Sequence, residues 1–199
     1  MDSPRHNPDL RVDVALVHYP VLNRRQETIG SALTNLDVHD IARAAKTYGV
    51  STYWVVTPFA EQQRLAAEII GHWTNGYGGE ANPDRSHALS MITICSSVAE
   101  AVDGSTRNFG ARPLVVATCA RCRDKTLDYG AVRERVWAGD PVLVLLGTAW
   151  GLAPDVLTGA DGVLPPLVGP AGPGAFNHLS VRSAAAIILD RLLAPRNER

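Results

Sequence analysis

The sequence predicts an α/β fold with a mainly parallel, doubly wound sheet. Short apolar runs alternate with longer amphipathic stretches, which is typical of strands joined by helices. The runs in the second half, such as residues 142–146, are almost continuous Val and Leu, and such runs favour parallel strands covered on both faces. A chain of 199 residues, 46% of them hydrophobic, is long enough for one domain with a buried core.

The elements of the first half alternate strand and helix. In chain order, we predict a strand at 12–18, a helix at 36–48, a strand at 51–56, a helix at 58–73, a strand at 89–95 and a helix at 97–108. Gly49 ends the first helix and Pro58 lies near the start of the second. Residues 75–86 (NGYGGEANPDRS), between the second helix and the third strand, are rich in Gly, Asn and Pro. They are predicted to form a surface loop.

The second half is more apolar. We predict a strand at 114–118, a helix at 129–138, a strand at 142–146, a short strand at 162–167 and a closing helix at 179–193. Residues 1–10 are predicted to form a flexible tail and residues 11–195 a single domain. The start of the chain lacks the apolar region of a signal peptide, and no apolar run could cross a bilayer, so we expect a cytoplasmic protein without membrane contact.

Cysteine content and charge narrow the function classes. Three cysteines are too few for a disulfide framework, and the pair Cys119 and Cys122 supplies only two of the four ligands of a structural zinc, so no metal is expected. The formal net charge is −1, which disfavours nucleic-acid binding by general electrostatic attraction. Any RNA contact would need a local basic patch.

Ligands of parallel sheets bind beyond the carboxyl ends of the strands. Gly147 and Gly151 follow the most apolar strand, where their missing side chains would let a ligand approach the backbone, although an ordinary turn is equally compatible. The spacing fits neither GxGxxG nor GxxxxGK[ST], which disfavours a dinucleotide or phosphate loop. Residues 169–174 (GPAGPG) are uncharged, which favours a loop folded against protein or ligand, and Asn177 is more readily a helix cap than a ligand contact.

Three segments together resemble the SPOUT class of RNA methyltransferases. The stretch from Leu36 to Val50 is similar to the family's N-terminal motif, with Arg43 at its Arg position and Asp37 in place of its Asn. Residues 143–152 (LVLLGTAWGL) are similar to its strand and G-x-E-x-x-G-L loop, with Thr and Ala where the Glu would fall. Residues 164–167 (LPPL) and 177–186 (NHLSVRSAAA) are similar to its closing Ser-Leu-Asn-Val-Ser segment and alanine-rich helix.

This resemblance implies a C-terminal deep trefoil knot, a homodimer, and a bent S-adenosylmethionine (SAM) held by three segments at 118–120, 146–151 and 164–179, called here the cofactor segments. The cofactor-binding candidates are Thr118, Cys119, Ala120, Leu146, Gly147, Thr148, Gly151, Leu164, Pro166, Leu167, Asn177, Leu179 and Ser183. The implied substrate is a structured RNA, either tRNA or rRNA.

The catalytic candidates are Arg43, His178 and Asp37. Arg43 would orient an RNA phosphate or activate a ribose hydroxyl, or would simply be solvated. A histidine side chain can act as a general base, which makes His178 a candidate, although a surface histidine is the commoner outcome, and Asp37 could instead cap its helix. The candidates for an RNA-binding patch are Arg24, Arg25, Arg121, Arg123, Lys125 and Arg182.

Two other functions remain open. A SPOUT-like protein that binds RNA without catalysis would explain the absent Asn and Glu of the family motifs. A nucleotide-binding protein of ordinary doubly wound fold is the second alternative, although it lacks a phosphate-binding fingerprint.

Overall fold

The structure is a computed structural model, and it describes residues 10–121, 126–172 and 176–196. Its strands are β1 (Val12–Val17), β2 (Val21–Leu22), β3 (Thr28–Ile29), β4 (Thr52–Val56), β5 (Ile92–Cys95), β6 (Leu114–Thr118), β7 (Val142–Gly147) and β8 (Gly162–Leu164). Its helices are α1 (Asn35–Thr47), α2 (Ala60–Thr74), α3 (Tyr77–Ala81), α4 (Pro83–Leu89), α5 (Val98–Phe109), α6 (Tyr129–Trp137), α7 (Pro154–Gly159) and α8 (Val181–Leu193). The predicted tail falls almost wholly outside the described residues.

Six strands form one sheet in the order β5-β4-β1-β7-β6-β8, and every pair in it is parallel. The chain builds outward from β1 to β5, crosses to β6, returns to β7 beside β1, and ends at β8. This is the predicted doubly wound sheet, and β1 lies at its centre with neighbours from both halves of the chain. The trefoil knot stays a prediction.

Helices cover both faces of the sheet, which explains the continuous apolar runs. One face packs Val14 and Val144 against α1, α2, α4, α6 and α8. The other packs Ala15 and Leu145 against α5, α7 and the β2–β3 hairpin. None of the helices in the described ranges is long and apolar enough to cross a bilayer.

A buried carboxylate joins β1 to its neighbours. Asp13 accepts hydrogen bonds from Thr52 N at 2.9 Å, Trp54 Nε1 at 2.9 Å and Ser105 Oγ at 2.6 Å. The three donors come from β4 and α5, so this side chain ties the central strand to an adjacent strand and a covering helix.

The loop prediction for residues 75–86 is wrong. The segment forms α3 and the start of α4 and packs against α1 and α2. Asn82 caps α4 by accepting from Arg85 N at 3.0 Å, and Pro83 occupies the first turn, where its missing N–H costs nothing. The residues that suggested a loop are therefore a helix start signal.

Other boundaries differ in smaller ways. The third predicted strand begins at Ile92 because Leu89 still belongs to α4. The last strand ends at Leu164, since the following prolines cannot extend its hydrogen bonding. The hairpin β2–β3 and helix α7 were not predicted, because both are too short to show a period in the sequence.

Candidate functional site

The strand order brings the cofactor segments to one place. They follow β6, β7 and β8, which are neighbours in the sheet, and β7 also neighbours β1. Because all four strands are parallel, the segments leave the same carboxyl edge. Their described residues include no Asp or Glu, so this edge is lined by backbone groups and uncharged side chains.

The loop after β7 is fixed by the hairpin. Leu22 N donates to Gly151 O at 2.9 Å, Trp150 N donates to Leu22 O at 3.0 Å, and Ala153 N donates to Pro20 O at 3.2 Å. Gly151 has φ +110°, a conformation that favours glycine, and a Cβ on Gly147 would lie 2.7 Å from Leu152 N. Both glycines are therefore required by the backbone of the loop.

A chain of buried side chains connects this loop to the end of β1. His18 Nδ1 lies 3.0 Å from Ser31 Oγ, which lies 2.5 Å from Thr148 Oγ1, and Thr148 donates to Val17 O at 2.9 Å. The single hydroxyl proton of Thr148 goes to that carbonyl, so Ser31 must donate to Thr148 and His18 Nδ1 must donate to Ser31. The chain therefore places the proton of His18 on Nδ1.

The other ring nitrogen of His18 is a buried acceptor. His18 is fully buried, and its Nε2 has no hydrogen-bond partner in the described structure, nor does the hydroxyl of the equally buried Tyr53. Burial lowers the pKa of His18, with the Asp37 carboxylate acting in the opposite direction. Burial also raises the pKa of Tyr53, and Asp37 adds to that effect. His18 and Tyr53 are therefore neutral groups near a buried carboxylate.

Asp37 is held by an arginine of the last helix. Arg182 Nη1 donates to Asp37 Oδ1 at 2.9 Å, and Arg182 Nε lies 3.3 Å from Asp40 Oδ2. The cap of α1 is Thr34, whose hydroxyl accepts from Asp37 N at 3.1 Å, so Asp37 is not the capping residue. The ion pairs join the first turns of α1 and α8.

The Pro/Gly loop before α8 is folded by Asn177. Its side-chain oxygen accepts from Gly169 N at 3.1 Å and its nitrogen donates to Leu167 O at 2.8 Å. The capping interpretation of Asn177 is wrong, because Ser180 caps α8 by accepting from Ser183 N at 3.2 Å. His178 is exposed and lies near Phe176, with 6.3 Å between the ring centroids.

The remaining cofactor candidates fall into two groups. Leu146 and Leu164 are buried in the sheet core, and Thr118 donates to Leu145 O at 2.9 Å. The others, half-buried or exposed at the carboxyl edge or the start of α8, are Cys119, Ala120, Pro166, Leu167, Leu179 and Ser183. The side chains of the first group belong to the strands of the sheet, and those of the second group are accessible at its edge.

The basic candidates do not form one patch. Arg24 and Arg25 are exposed in the hairpin turn, and Arg121 reaches the same turn, with Nη1 3.5 Å from Gln26 Oε1. Arg182 is paired with two carboxylates on α1, so it does not contribute to a basic patch with these arginines. Arg123 and Lys125 lie outside the described residues. Arg43 is exposed on α1.

His18 and Ser31 were not among the predicted site residues. His18 is the last residue of the first predicted strand and so lies at the carboxyl edge, which is the signal that points to it. Ser31 gives no such signal, because its role depends on a loop that packs against a strand more than a hundred residues away.

Sequence comparison identifies the family. The sequence model of a family described as SAM-dependent RNA methyltransferases matches residues 11–194. The chain belongs to this family. A tRNA (guanine-N(1)-)-methyltransferase of Oleidesulfovibrio alaskensis is 47% identical over 191 residues, which are 96% of this chain and 44% of that protein. A protein of Aquifex aeolicus is 35% identical over 184 residues, which are 92% of this chain and 88% of that protein.

Structural comparison concerns the fold of this SAM-dependent RNA methyltransferase domain. A methylase family protein from Neisseria gonorrhoeae gives a TM-score of 0.65 at 11% identity, over 100% of this chain and 89% of that chain. The SpoU methyltransferase AviRb from Streptomyces viridochromogenes, in complex with AdoMet, gives 0.53 at 19% identity, over 91% of this chain and 56% of that chain. These likenesses confirm the SPOUT fold.

The carboxyl edge fits the cofactor of this SAM-dependent family. A Cβ on Gly151 would meet nothing within 4 Å, so the backbone there is open to a ligand, and the half-buried, apolar Leu167 follows β8 at the same carboxyl edge. Such a lining suits an adenine ring, which needs backbone hydrogen bonds at its edge and apolar contact on its faces. The described residues of the cofactor segments stay the predicted candidates for holding it.

Proposed function

We propose that this chain transfers a methyl group from SAM to tRNA. The observation that supports this most is the meeting of the three cofactor segments on adjacent parallel strands, in a chain that matches the family over residues 11–194. The sulfonium of SAM supplies an electrophilic methyl group. The chain has to position the acceptor and remove its proton.

We assign separate roles to the three catalytic candidates. Arg43 is exposed and free to contact RNA, which suits an orienting role toward a phosphate or the acceptor. His178 is exposed at the entrance to α8, where it can accept a proton from the acceptor. Asp37 is buried and paired with Arg182, so it acts as a positioning residue that fixes the start of α8.

The RNA atom that receives the methyl group is a second proposal. The chain spans less than half the length of the tRNA (guanine-N(1)-)-methyltransferases it matches, at 44% and 43% of two of them. Their name favours N1 of guanine in tRNA as the acceptor, with rRNA as the other substrate class.

We further propose that the protein is a cytoplasmic homodimer, as the exposed apolar side chains Leu36, Leu179 and Ile187 favour an additional interface.

The test is incorporation of labelled methyl from SAM into unmodified tRNA transcripts, followed by mass spectrometry of the nucleosides. We expect 1-methylguanosine with wild type, and at least a hundredfold loss of rate with Arg43→Gln. Detection of a 2′-O-methylnucleoside would support methyl transfer to RNA but would contradict guanine N1 as the acceptor. Absence of incorporation into both tRNA and rRNA would overturn the proposed activity.

One observation favours a second candidate. Asp37 stands at the Asn position of the family motif and is already bound by Arg182, so the chain departs from that motif at a point next to the proposed site. A protein that binds RNA without transferring methyl is therefore the alternative. RNA binding without incorporation, at SAM concentrations that saturate in calorimetry, would support it.

A further inference from the structure

The segment wrongly predicted as a loop builds a cluster around Trp73 of α2. The His39 ring lies edge-on to Trp73 with 5.4 Å between centroids, and the His72 ring does so at 5.1 Å. Arg85 of α4 lies over the indole, with Cζ 4.4 Å from the ring centroid. The cluster therefore joins α1, α2 and α4, and Trp73 is its centre.

Two buried nitrogens of the cluster have no hydrogen-bond partner in the part of the chain that the structure describes. Arg85 Nε and His39 Nδ1 are both buried and lack hydrogen-bond partners within the described residues. The guanidinium of Arg85 also makes no ion pair in that part of the chain. Buried N–H groups are nearly always paired in folded proteins, so unpaired ones indicate a missing partner.

The charges around His39 are mostly positive. Arg43 is one helical turn further along α1, and both Arg43 and Arg85 act on the His39 imidazole. Burial lowers the pKa of His39 first of all, both arginines lower it further, and Asp40 opposes them. Asp40 is itself paired with Arg182 at 3.3 Å. A cationic site with its nearby carboxylate already engaged favours an anionic partner.

The chemistry of the cluster fits a phosphate group. Guanidinium groups present several N–H donors in a fixed planar arrangement that matches phosphate oxygens, and an imidazole nitrogen can add another donor. Trp73 holds the Arg85 guanidinium by a cation–π contact, which fixes its orientation. His39 lies four residues before Arg43, on the same face of α1.

We propose that His39, Arg43 and Arg85, arranged around Trp73, bind a backbone phosphate of the RNA substrate. This inference rests on the proposed function and extends it, since it places part of the RNA on α1 and α4, away from the hairpin arginines. The α3–α4 segment acquires a function: it carries Arg85 to the exposed side of α1.

Binding of a fluorescein-labelled tRNA transcript tests the site. Anisotropy titrations at a series of KCl concentrations give the Kd and its salt dependence. Arg85→Met keeps the alkyl stem on Trp73 and removes the charge, and we expect it to raise the Kd about tenfold and to reduce the slope of log Kd against log salt by about 0.7 to 0.9. Arg85→Lys should retain the slope and lose part of the affinity.

Arg64→Met is the matched control. Arg64 lies on α2, its side chain is 69% exposed, and its one ion pair, with Glu61, measures 4.0 Å. Thermal unfolding and SAM calorimetry show whether each variant is folded. Should Arg85→Met not fold, Arg43→Gln carries the same test, because that side chain is exposed and its loss leaves packing intact.

Two results would overturn the inference. One is a tRNA Kd and salt slope for Arg85→Met equal to those of Arg64→Met. The other is loss of inorganic phosphate binding in Arg85→Met, measured by calorimetry against wild type, with unchanged tRNA affinity, which would assign the site to free phosphate. If wild type methylates tRNA in either case, the proposed function stands and only this site is rejected.

Discussion

The imidazole of His18 shows how a fold can fix the chemistry of one residue. In solution either ring nitrogen carries the proton, but here the single protons of Ser31 and Thr148 are both committed, which leaves Nδ1 as the donor. The buried Nε2 then carries a lone pair that has no hydrogen-bond partner among the described residues. The same three side chains hold the loop after β7 against the end of β1.

Thr148→Val tests whether that chain positions the cofactor loop. Valine has the same shape but no hydroxyl, so Ser31 loses its acceptor and Val17 O keeps only the longer bond from the backbone N of residue 148, 3.4 Å in wild type, at a cost of about 1 to 3 kcal/mol in stability. We expect calorimetry to show a SAM Kd raised about tenfold. Thr148→Ser keeps the hydroxyl and should bind like wild type; equal affinities for the Val and Ser variants would contradict the role.

A pH dependence of stability follows from the burial of His18. Its pKa is lowered in the folded state, so the unfolded chain binds more protons as pH falls through the ordinary histidine range, and stability decreases with it. His18→Asn keeps a donor toward Ser31 but does not titrate. Between about pH 7 and about pH 5, urea unfolding should therefore show a larger decrease in the free energy of unfolding for wild type than for this variant. Parallel curves would show that His18 is not the group responsible.

At the scale of elements, α5 packs unusually close to β4. A Cβ on Gly104 would lie 2.2 Å from Trp54 Cη2, and Trp54 is only 6% exposed and hydrogen-bonded to Asp13. The helix can approach the sheet only because this position has no side chain. The indole then fills the space between them.

Gly104→Ala should destabilise the protein by about 1 to 3 kcal/mol through overpacking, despite the better helix propensity of alanine. Gly71→Ala is the matched control, since a Cβ at that α2 position meets nothing within 4 Å. We expect the control to gain about 0.5 to 1 kcal/mol. Denaturant midpoints measure both, and a stable Gly104→Ala would show that α5 can move away from the sheet.

The hairpin β2–β3 is a second element with a testable surface. It carries Arg24 and Arg25 in its turn and approaches Arg121. Reversing both charges with Arg24→Glu and Arg25→Glu should weaken tRNA binding at least tenfold and leave the SAM affinity unchanged. The double variant of Arg64 and Arg107, two exposed arginines elsewhere, serves as control. Equal tRNA affinities in the two double variants would remove the hairpin from the RNA interface.

At the scale of the whole molecule, we predict that two copies of the 21.3 kDa chain assemble. Ile187 on α8 is 37% exposed and lies with Arg133 and Arg191 in a groove between α6 and α8. Sedimentation should give twice the chain mass, and Ile187→Glu should shift it toward the monomer. Leu65→Glu on α2, a leucine exposed to 40%, is the control and should leave the mass unchanged. A monomeric wild type would contradict the homodimer.

Prediction from sequence succeeded where local chemistry is decisive. The apolar runs at 114–118 and 142–146 gave parallel strands, and the helix at 36–48 began and ended within a residue of α1. It failed at residues 75–86, where Gly, Asn and Pro serve both loops and helix starts and only packing against α1 decides between them. The capping prediction for Asn177 failed for a similar reason, because the true cap, Ser180, is three positions further along the chain.

The sequence by itself determined the alternation of strands and helices and the doubly wound class, because those depend on periodicity and on short motifs. The tertiary structure alone decided which distant groups meet: His18 with Ser31 and Thr148, Asp37 with Arg182, and Arg85 with Trp73 and His39. Each of those contacts depends on the order of strands in the sheet or on how helices cross. Neither is encoded within any one stretch of the chain.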